Sequence, residues 1–177
     1  ADDNASGSAG AMEVANIISK YPFAHKVRFV LFAGEELGLR GSKAYVSQLK
    51  ASGEITKVLG MVNLDMIGFD KTAPISSLWQ TRQTYDSFVS NFLAVAKESG
   101  KLKITMSYNV WGSDHVSFIN AGAPAFLFIE DEYGANPHYH KTTDHLENLN
   151  PEMLHEFVRV VAQGLVNILS AGAEAKK

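Results

Sequence analysis

The sequence contains no cysteine among its 177 residues. Disulfide bonds, thiolate nucleophiles and cysteine-ligated metal ions are therefore excluded. No charge of one sign dominates, since the formal net charge is −3 at pH 7, and there is no electrostatic reason to expect nucleic acid as a partner. No apolar run is long enough to cross a bilayer, so we expect no membrane partner either.

The composition is that of a globular protein, with 46% hydrophobic and 20% charged residues. This length is sufficient for one domain with a buried core and too short for two ordinary domains. Because the chain has no internal repeat and no Pro/Gly-rich linker, we predict a single domain over residues 1–177. It begins at Ala1 without an initiator methionine or a signal peptide, so we expect a processed or trimmed product.

The chain alternates between helical patterns and short apolar runs. The predicted strands cover residues 27–33, 58–64, 102–106 and 125–129. The predicted helices follow a Ser6 or Ser8 cap, cover residues 42–49, carry an apolar stripe over 85–96, follow a Ser113 cap, and begin at Asn150-Pro151. Residues 27–33 (VRFVLFA) are almost continuously apolar, as expected for a strand buried on both faces. The alternation predicts an α/β fold with a mixed, largely parallel sheet and helices on both faces.

Acidic residues follow two of the predicted strands. Glu35 and Glu36 come after the strand ending at residue 33, and Asp65 follows the strand ending at residue 64. In open α/β sheets, sites form in the crevice at the carboxyl ends of the strands. Asp65 stands between Leu64 and Met66, where a carboxylate is desolvated unless it is paired or bound to metal.

Further acidic and imidazole side chains occur in neighbouring loops: Asp2, Asp3, Asp114, His115, His138 and His140. Each has a simpler interpretation, because an acidic pair after a strand is usually solvated and Asp3 could cap a helix. Together, carboxylates and imidazoles that converge on one crevice would repel one another or be stranded without a cation. The combination therefore predicts a metal site.

Five blocks of sequence support a specific resemblance: ADDNASGSAGAMEVA, FVLFAGEELGLRGSKAYV, VNLDMIG, GSDHVSFINAGAP and NPHYHKTTDHL. In this order and spacing, which span nearly the whole chain, they resemble the co-catalytic zinc aminopeptidases related to bacterial leucyl aminopeptidase. The resemblance implies the zinc exopeptidase (phosphorylase/hydrolase-like) fold. It also implies hydrolysis of N-terminal, apolar residues from peptides.

The same resemblance implies roles for individual residues. The implied metal ligands are Asp3, which bridges two metals, Glu36, Asp65 and His140. Glu35 matches the general base that takes a proton from the attacking water, while Asp2 matches a neighbour that is not a ligand. Tyr139 occupies a place where some members have a tyrosine that stabilises the tetrahedral intermediate. Asp114 and His115 match a motif near the site and are expected to have a supporting role.

One implied ligand is missing, because the family's His-x-Asp motif precedes the ADDNASG block. Asp3, Glu36 and His140 would form one complete zinc site, and Asp3 and Asp65 alone an incomplete second one. We therefore expect one tightly bound zinc here and two in a full-length parent. The preceding strands of the family's sheet are also missing, which predicts an exposed sheet edge and association with the missing N-terminal segment or self-association.

Three functions share this scaffold. The leading prediction is a secreted or periplasmic aminopeptidase, with the location implied by the resemblance only. The alternatives are a single-zinc acyltransferase resembling glutaminyl cyclase and a non-catalytic binding domain resembling the transferrin receptor. The AGEELG and NLDMIG blocks favour the peptidase.

Overall fold

The computed structural model describes residues 1–131 and 136–170. The helices in these ranges are α1 (Gly7–Ile18), α2 (Arg40–Ala51), α3 (Asp86–Ser99), α4 (His115–Asn120) and α5 (Pro151–Ser170), and the strands are β1 (Met61–Leu64), β2 (Ile75–Gln80), β3 (Leu102–Ser107) and β4 (Ala125–Glu130). Single helical turns cover Asp2–Ser6, Ile55–Lys57, Gln83–Tyr85 and Leu146–Asn148. None of the described helices is both long and apolar enough to span a membrane.

The four strands form one sheet in the order β1-β4-β2-β3. The β1–β4 and β2–β3 pairs are parallel, and β4 runs antiparallel to β2. Parallel neighbours cannot be joined by a tight turn, and the helices between them supply the required crossovers. The predicted α/β class with a mixed sheet is confirmed.

Helices cover both faces of the sheet, as predicted. Successive side chains of a strand point to opposite faces, and every residue of β4 is buried. Phe126 and Phe128 pack in the larger core with α1, α3 and α5, whereas Ala125 packs with α2 and α4. Trp79 of β2 meets Phe128 edge-on, with ring centroids 4.3 Å apart. Strand β4 is therefore the centre of the fold.

The start of α5 follows from its first residues. The side-chain oxygen of Asn150 accepts hydrogen bonds from the backbone N–H groups of Glu152 (3.0 Å) and Met153 (3.3 Å). Pro151 occupies the first helical position, where its missing N–H costs nothing. The predicted beginning of this helix is confirmed.

Strand β2 was not predicted, because its sequence ISSLWQ mixes serines with apolar residues. The structure explains how these serines are buried. The Ser77 hydroxyl donates to the Ile129 carbonyl (3.1 Å), and the Trp79 indole N–H donates to Ser77 (2.8 Å). Polar side chains that bond within the sheet are compatible with a central strand.

The predicted strand over residues 27–33 is wrong. This segment forms no strand with any part of the chain that the structure describes, and Phe29, Val30 and Leu31 are 43%, 37% and 60% exposed. An apolar run becomes a strand only where a neighbouring edge accepts its backbone hydrogen bonds. Here the segment instead lines a groove of about 960 Å³ that β1 also lines.

Candidate metal centre

Three side chains with metal-binding atoms converge beside the end of β1: Asp3, Glu36 and His140. The Nε2 atom of His140 lies 2.7 Å from Oε1 of Glu36 and 3.2 Å from Oδ2 of Asp3. One ligand atom from each residue lies within 4.8 Å of the other two. Imidazole nitrogen and carboxylate oxygen are both zinc ligands, and three protein ligands leave a position for water or substrate. The group therefore fits a zinc ion.

Asp3 is held by hydrogen bonds to the backbone around it. The carboxylate of Asp144 accepts the N–H groups of Asp2 (2.9 Å) and Asp3 (3.1 Å). The side-chain oxygen of Asn4 accepts the N–H of Met66 (3.2 Å), which joins this segment to the end of β1. Asp144 was not predicted from the sequence, although it lies four residues after His140 in the same block.

Glu35 and Glu36 lie in a tight turn before α2. The carbonyl of Glu35 accepts the N–H groups of Gly38 (2.9 Å) and Leu39 (2.8 Å), and Gly34 enters the turn with a φ of +67°. The two carboxylates have different environments. Glu36 meets His140, whereas Glu35 is half-buried and lies outside the ligand group.

Negative charge accumulates around Glu35 and Asp65. Burial raises the pKa of Glu35 to about 7, and the charges of Asp65 and Glu36 add to the effect. Burial likewise raises the pKa of Asp65 to about 6, with the Asp3 charge contributing in the same direction. Carboxylates that destabilise one another's charged form are stabilised by a cation placed among them.

Asp65 lies outside the group formed by Asp3, Glu36 and His140. Its Oδ2 atom accepts the hydroxyl proton of Ser113 at 2.6 Å, and the Ser113 oxygen accepts from the Asn63 side chain at 2.6 Å. The predicted helix cap at Ser113 is wrong, because α4 has Asp114 as its N-cap residue. The Ser113 hydroxyl instead bonds the carboxylate at the end of β1.

Asp114 and His115 lie at the start of α4, directly after Ser113, and outside the ligand group. His115 is fully buried, and neither ring nitrogen has a hydrogen-bond partner within residues 1–131 and 136–170. Burial lowers the pKa of His115 to about 3, so its imidazole is neutral at pH 7. Burial raises the pKa of Asp114, whose charge in turn contributes to the raised pKa of Glu35.

Tyr139 stacks on the ring of His140, with centroids 3.8 Å apart. It also packs against the small apolar cluster of Met66, Leu127 and Ile129. Its pKa is raised by burial and then by the charges of Glu36 and Asp3. The phenol is therefore a neutral hydrogen-bonding group at pH 7, next to the ligand group.

Comparison with known proteins identifies the family. The model of peptidase family M28 matches residues 1–165. The chain belongs to peptidase family M28. Among M28 relatives, it is 30% identical to aminopeptidase YwaD of Bacillus subtilis (strain 168), in an alignment that covers 88% of this chain and 35% of YwaD. It is 33% identical to leupeptin-inactivating enzyme 1 of Streptomyces exfoliatus, over 86% of this chain and 38% of the relative.

Solved M28 structures are also similar. The zinc aminopeptidase BSAP from Bacillus subtilis aligns with a TM-score of 0.83 and 29% identity, over 95% of this chain and 42% of its own. The LapA aminopeptidase of Legionella pneumophila aligns with a TM-score of 0.83 and 28% identity, over 96% of this chain and 47% of its own. The family resemblance and the fold are confirmed. The chain spans between about a third and half the length of these relatives.

Proposed function

We propose that this chain carries the zinc-binding part of an M28 aminopeptidase that removes N-terminal residues from peptides. The observation that carries this proposal is the convergence of Asp3, Glu36 and His140, whose ligand atoms lie within 4.8 Å of one another. These three residues would hold one zinc ion tightly. When bound, zinc would polarise the scissile carbonyl and make an attacking water more acidic.

Glu35 is the proposed general base. Glu35 is next to the proposed ligand Glu36 and lies outside the ligand group. Its carboxylate would therefore be free to accept a proton near the bound substrate. Its carboxylate would take the proton of the attacking water and return it to the leaving amine. Tyr139, stacked on His140, would donate its hydroxyl proton in a hydrogen bond to the oxyanion that develops on the substrate carbonyl. Asp114 and His115 would support the site from the α4 side.

Asp65 is the proposed ligand of a second, weaker metal position that it would share with Asp3. Two carboxylates without an imidazole are fewer ligands than a zinc site normally has. We therefore expect a stoichiometry close to one zinc per chain. Metal analysis of the purified protein showing no zinc, or two zinc ions at full occupancy, would contradict this assignment.

Hydrolysis of leucyl-p-nitroanilide tests the aminopeptidase proposal. The zinc-loaded chain is expected to release p-nitroaniline, and removal of zinc by a chelator is expected to stop it. Glu35→Gln should abolish turnover and leave zinc bound, because the substitution removes the base and no ligand. Cyclisation of an N-terminal glutamine peptide in place of hydrolysis would identify the acyltransferase, and zinc binding without turnover of either substrate would favour the binding domain.

The groove between residues 27–33 and β1 is the proposed site of association. The groove is lined by strand β1, by the apolar side chains of the exposed segment, and by residues of α1 and α5. We propose that one further strand of the full-length protein occupies it, since the relatives contain more than twice the length spanned here. Asp3 and Asp65 also line the groove, so that strand would reach the incomplete metal position.

Light scattering combined with intact mass tests this association. A stable monomer at the chain's 19.3 kDa, unchanged by co-expression of the remaining parent sequence, would overturn the proposal. A homodimer would assign the groove to a second copy.

Export is proposed from the family resemblance alone, and fractionation of the source cells would test it by the compartment in which the protein is recovered.

A further inference from the structure

A buried polar cluster lies beside the metal centre and has no part in the proposed chemistry. Its members are Asp2, Glu130 and Asn136, which are 1%, 2% and 6% exposed. The side-chain nitrogen of Asn136 donates to Oδ2 of Asp2 (3.3 Å) and to Oε1 of Glu130 (3.2 Å). Its side-chain oxygen accepts the backbone N–H of His138 (2.9 Å). One side chain therefore joins three separate segments.

Two of these segments bear metal-ligand candidates, and the third belongs to the sheet. Asp2 precedes Asp3, and His138 lies two residues before His140. Glu130 ends β4, the fully buried central strand, and its backbone N–H donates to the Met66 carbonyl (3.0 Å). Asn136 thus connects the His140 segment and the Asp3 segment to the end of the buried central strand.

The chain after His140 is also connected to the Asp3 segment, because the Asp144 carboxylate accepts the N–H groups of Asp2 and Asp3. His140 itself has a φ of +55°, in a backbone region that is unfavourable for a residue other than glycine. Such a conformation persists only where surrounding contacts hold it. The bonds on both sides of His140 supply those contacts.

Asp2 and Glu130 can both accept a hydrogen bond from the Asn136 amide, because Glu130 is uncharged. Burial raises the pKa of Glu130 to about 9, and the charge of Asp2 contributes further. Glu130 is therefore neutral at pH 7 and does not repel Asp2. Asn136 is an amide donor to a pair of carboxyl groups that carries at most one negative charge.

We propose that Asn136 is a positioning residue for the metal centre. Its three hydrogen bonds hold the segment of His140 against the segment of Asp3, so that the ligand atoms are assembled before the metal arrives. The inference rests on the proposed zinc site. It assigns Asn136 no contact with substrate or metal.

The test compares Asn136→Ala with Asn148→Ala in the full chain, by competition for zinc with a chromophoric chelator. Asn148 lies in the same region, and its side-chain nitrogen donates to the Thr143 carbonyl (2.9 Å) without reaching the Asp3 segment. N136A is expected to weaken zinc binding by about 10-fold or more, as loss of an orienting partner of a ligand does. N148A is expected to stay within about two-fold of the wild type. Should N136A not fold, N136S provides the smaller polar replacement.

A second measurement separates positioning from general stability. Amide hydrogen exchange of His138 in the metal-free protein is expected to accelerate in N136A and to remain at the wild-type rate in N148A. A lowered Tm with unchanged zinc affinity and unchanged exchange around His138–His140 would overturn the inference. If the wild-type chain binds no zinc, the proposed function fails, while the exchange rates still decide whether Asn136 holds the two segments together.

Discussion

The candidate centre has a loop side, formed by Asp3, Glu36 and His140, and an α4 side, formed by Asp65, Asp114 and His115. Each side contains one histidine, and the two histidines lie in opposite environments. On the loop side, the His140 side chain is 47% exposed and meets two carboxylates. On the α4 side, His115 is fully buried and its ring nitrogens bond nothing among the described residues. A metal ligand must be reachable and must have companions of suitable charge, so of these two histidines only His140 is placed to bind a cation. The α4 side contributes a neutral, packed ring.

Replacing one proposed ligand on each side, His140 on the loop side and Asp65 on the α4 side, is expected to give the largest contrast. His140→Ala removes the imidazole of the group, and zinc affinity is expected to fall by more than about 100-fold, beyond the loss typical of outer partners. Asp65→Asn leaves that group whole and is expected to change the affinity by less than about 10-fold. Isothermal titration of both variants with zinc measures the difference. Equal losses would mean that Asp65 belongs to the tight site.

Acidification is expected to affect the buried side more strongly. The pKa of His115 is lowered from 6.5 to about 3, so the unfolded chain binds this proton more readily than the folded one. The stability that depends on a neutral His115 is complete above pH 6.5 and is lost toward pH 3, at about 1.4 kcal/mol per pH unit.

Urea unfolding of the metal-free wild type and of His115→Gln between pH 6.5 and 5 tests this effect. Glutamine has no titratable proton, and the wild type is expected to lose about 2 kcal/mol more than the variant over this interval. Parallel curves for the two proteins would show that His115 titrates normally.

Ser113→Ala tests whether the Asp65 carboxylate is independent of the loop side. The substitution removes the hydroxyl that donates to Asp65 at 2.6 Å, and a buried carboxylate that loses a donor is expected to cost about 1–3 kcal/mol of the unfolding free energy. Zinc affinity at the loop side is expected to remain within about two-fold of the wild type. A loss of zinc equal to that of His140→Ala would contradict the separation of the two sides.

The smallest effect is expected in the groove. Leu31 is 60% exposed, and Leu31→Ser in this chain alone is expected to change the unfolding free energy by at most about 0.5 kcal/mol. Leu49→Ser, at a residue that is 5% exposed, is the matched buried control and is expected to cost at least about 2 kcal/mol. In the full-length protein, a Leu31→Ser cost that approaches the control would support a strand in the groove.

The sequence predicted the elements whose signal is local. The start of α5 follows from an N-cap and a proline at adjacent positions, and the apolar run of β4 is long enough to identify a buried strand. Residues 27–33 carry an equally strong apolar signal and form no strand within the described chain. Apolarity reports what a segment can bury, whereas strand formation requires a neighbour, and one sequence does not reveal where that neighbour lies.

The candidate site also contains both residues that the sequence predicted and residues that it did not. The resemblance pointed to Asp3, Glu36 and His140, which the structure brings together. It did not point to Asn136 or Asp144, because their importance lies in partners more than a hundred positions away, such as Asp2 at a separation of 134 residues from Asn136. Polar side chains that bond groups far away along the chain have no periodic or spacing signal of their own.

The separation of the ligands along the chain has a consequence for folding. His140 and Glu36 are 104 residues apart, and Asp3 lies near the opposite end of the described chain from His140. Closing loops of this size has an entropic cost that the early stages of folding cannot offset. An unfolded chain therefore offers zinc only scattered single ligands, and tight capture of the ion reports that the sheet is already assembled. Zinc uptake would then be a late step of folding, and a misfolded chain would remain free of metal.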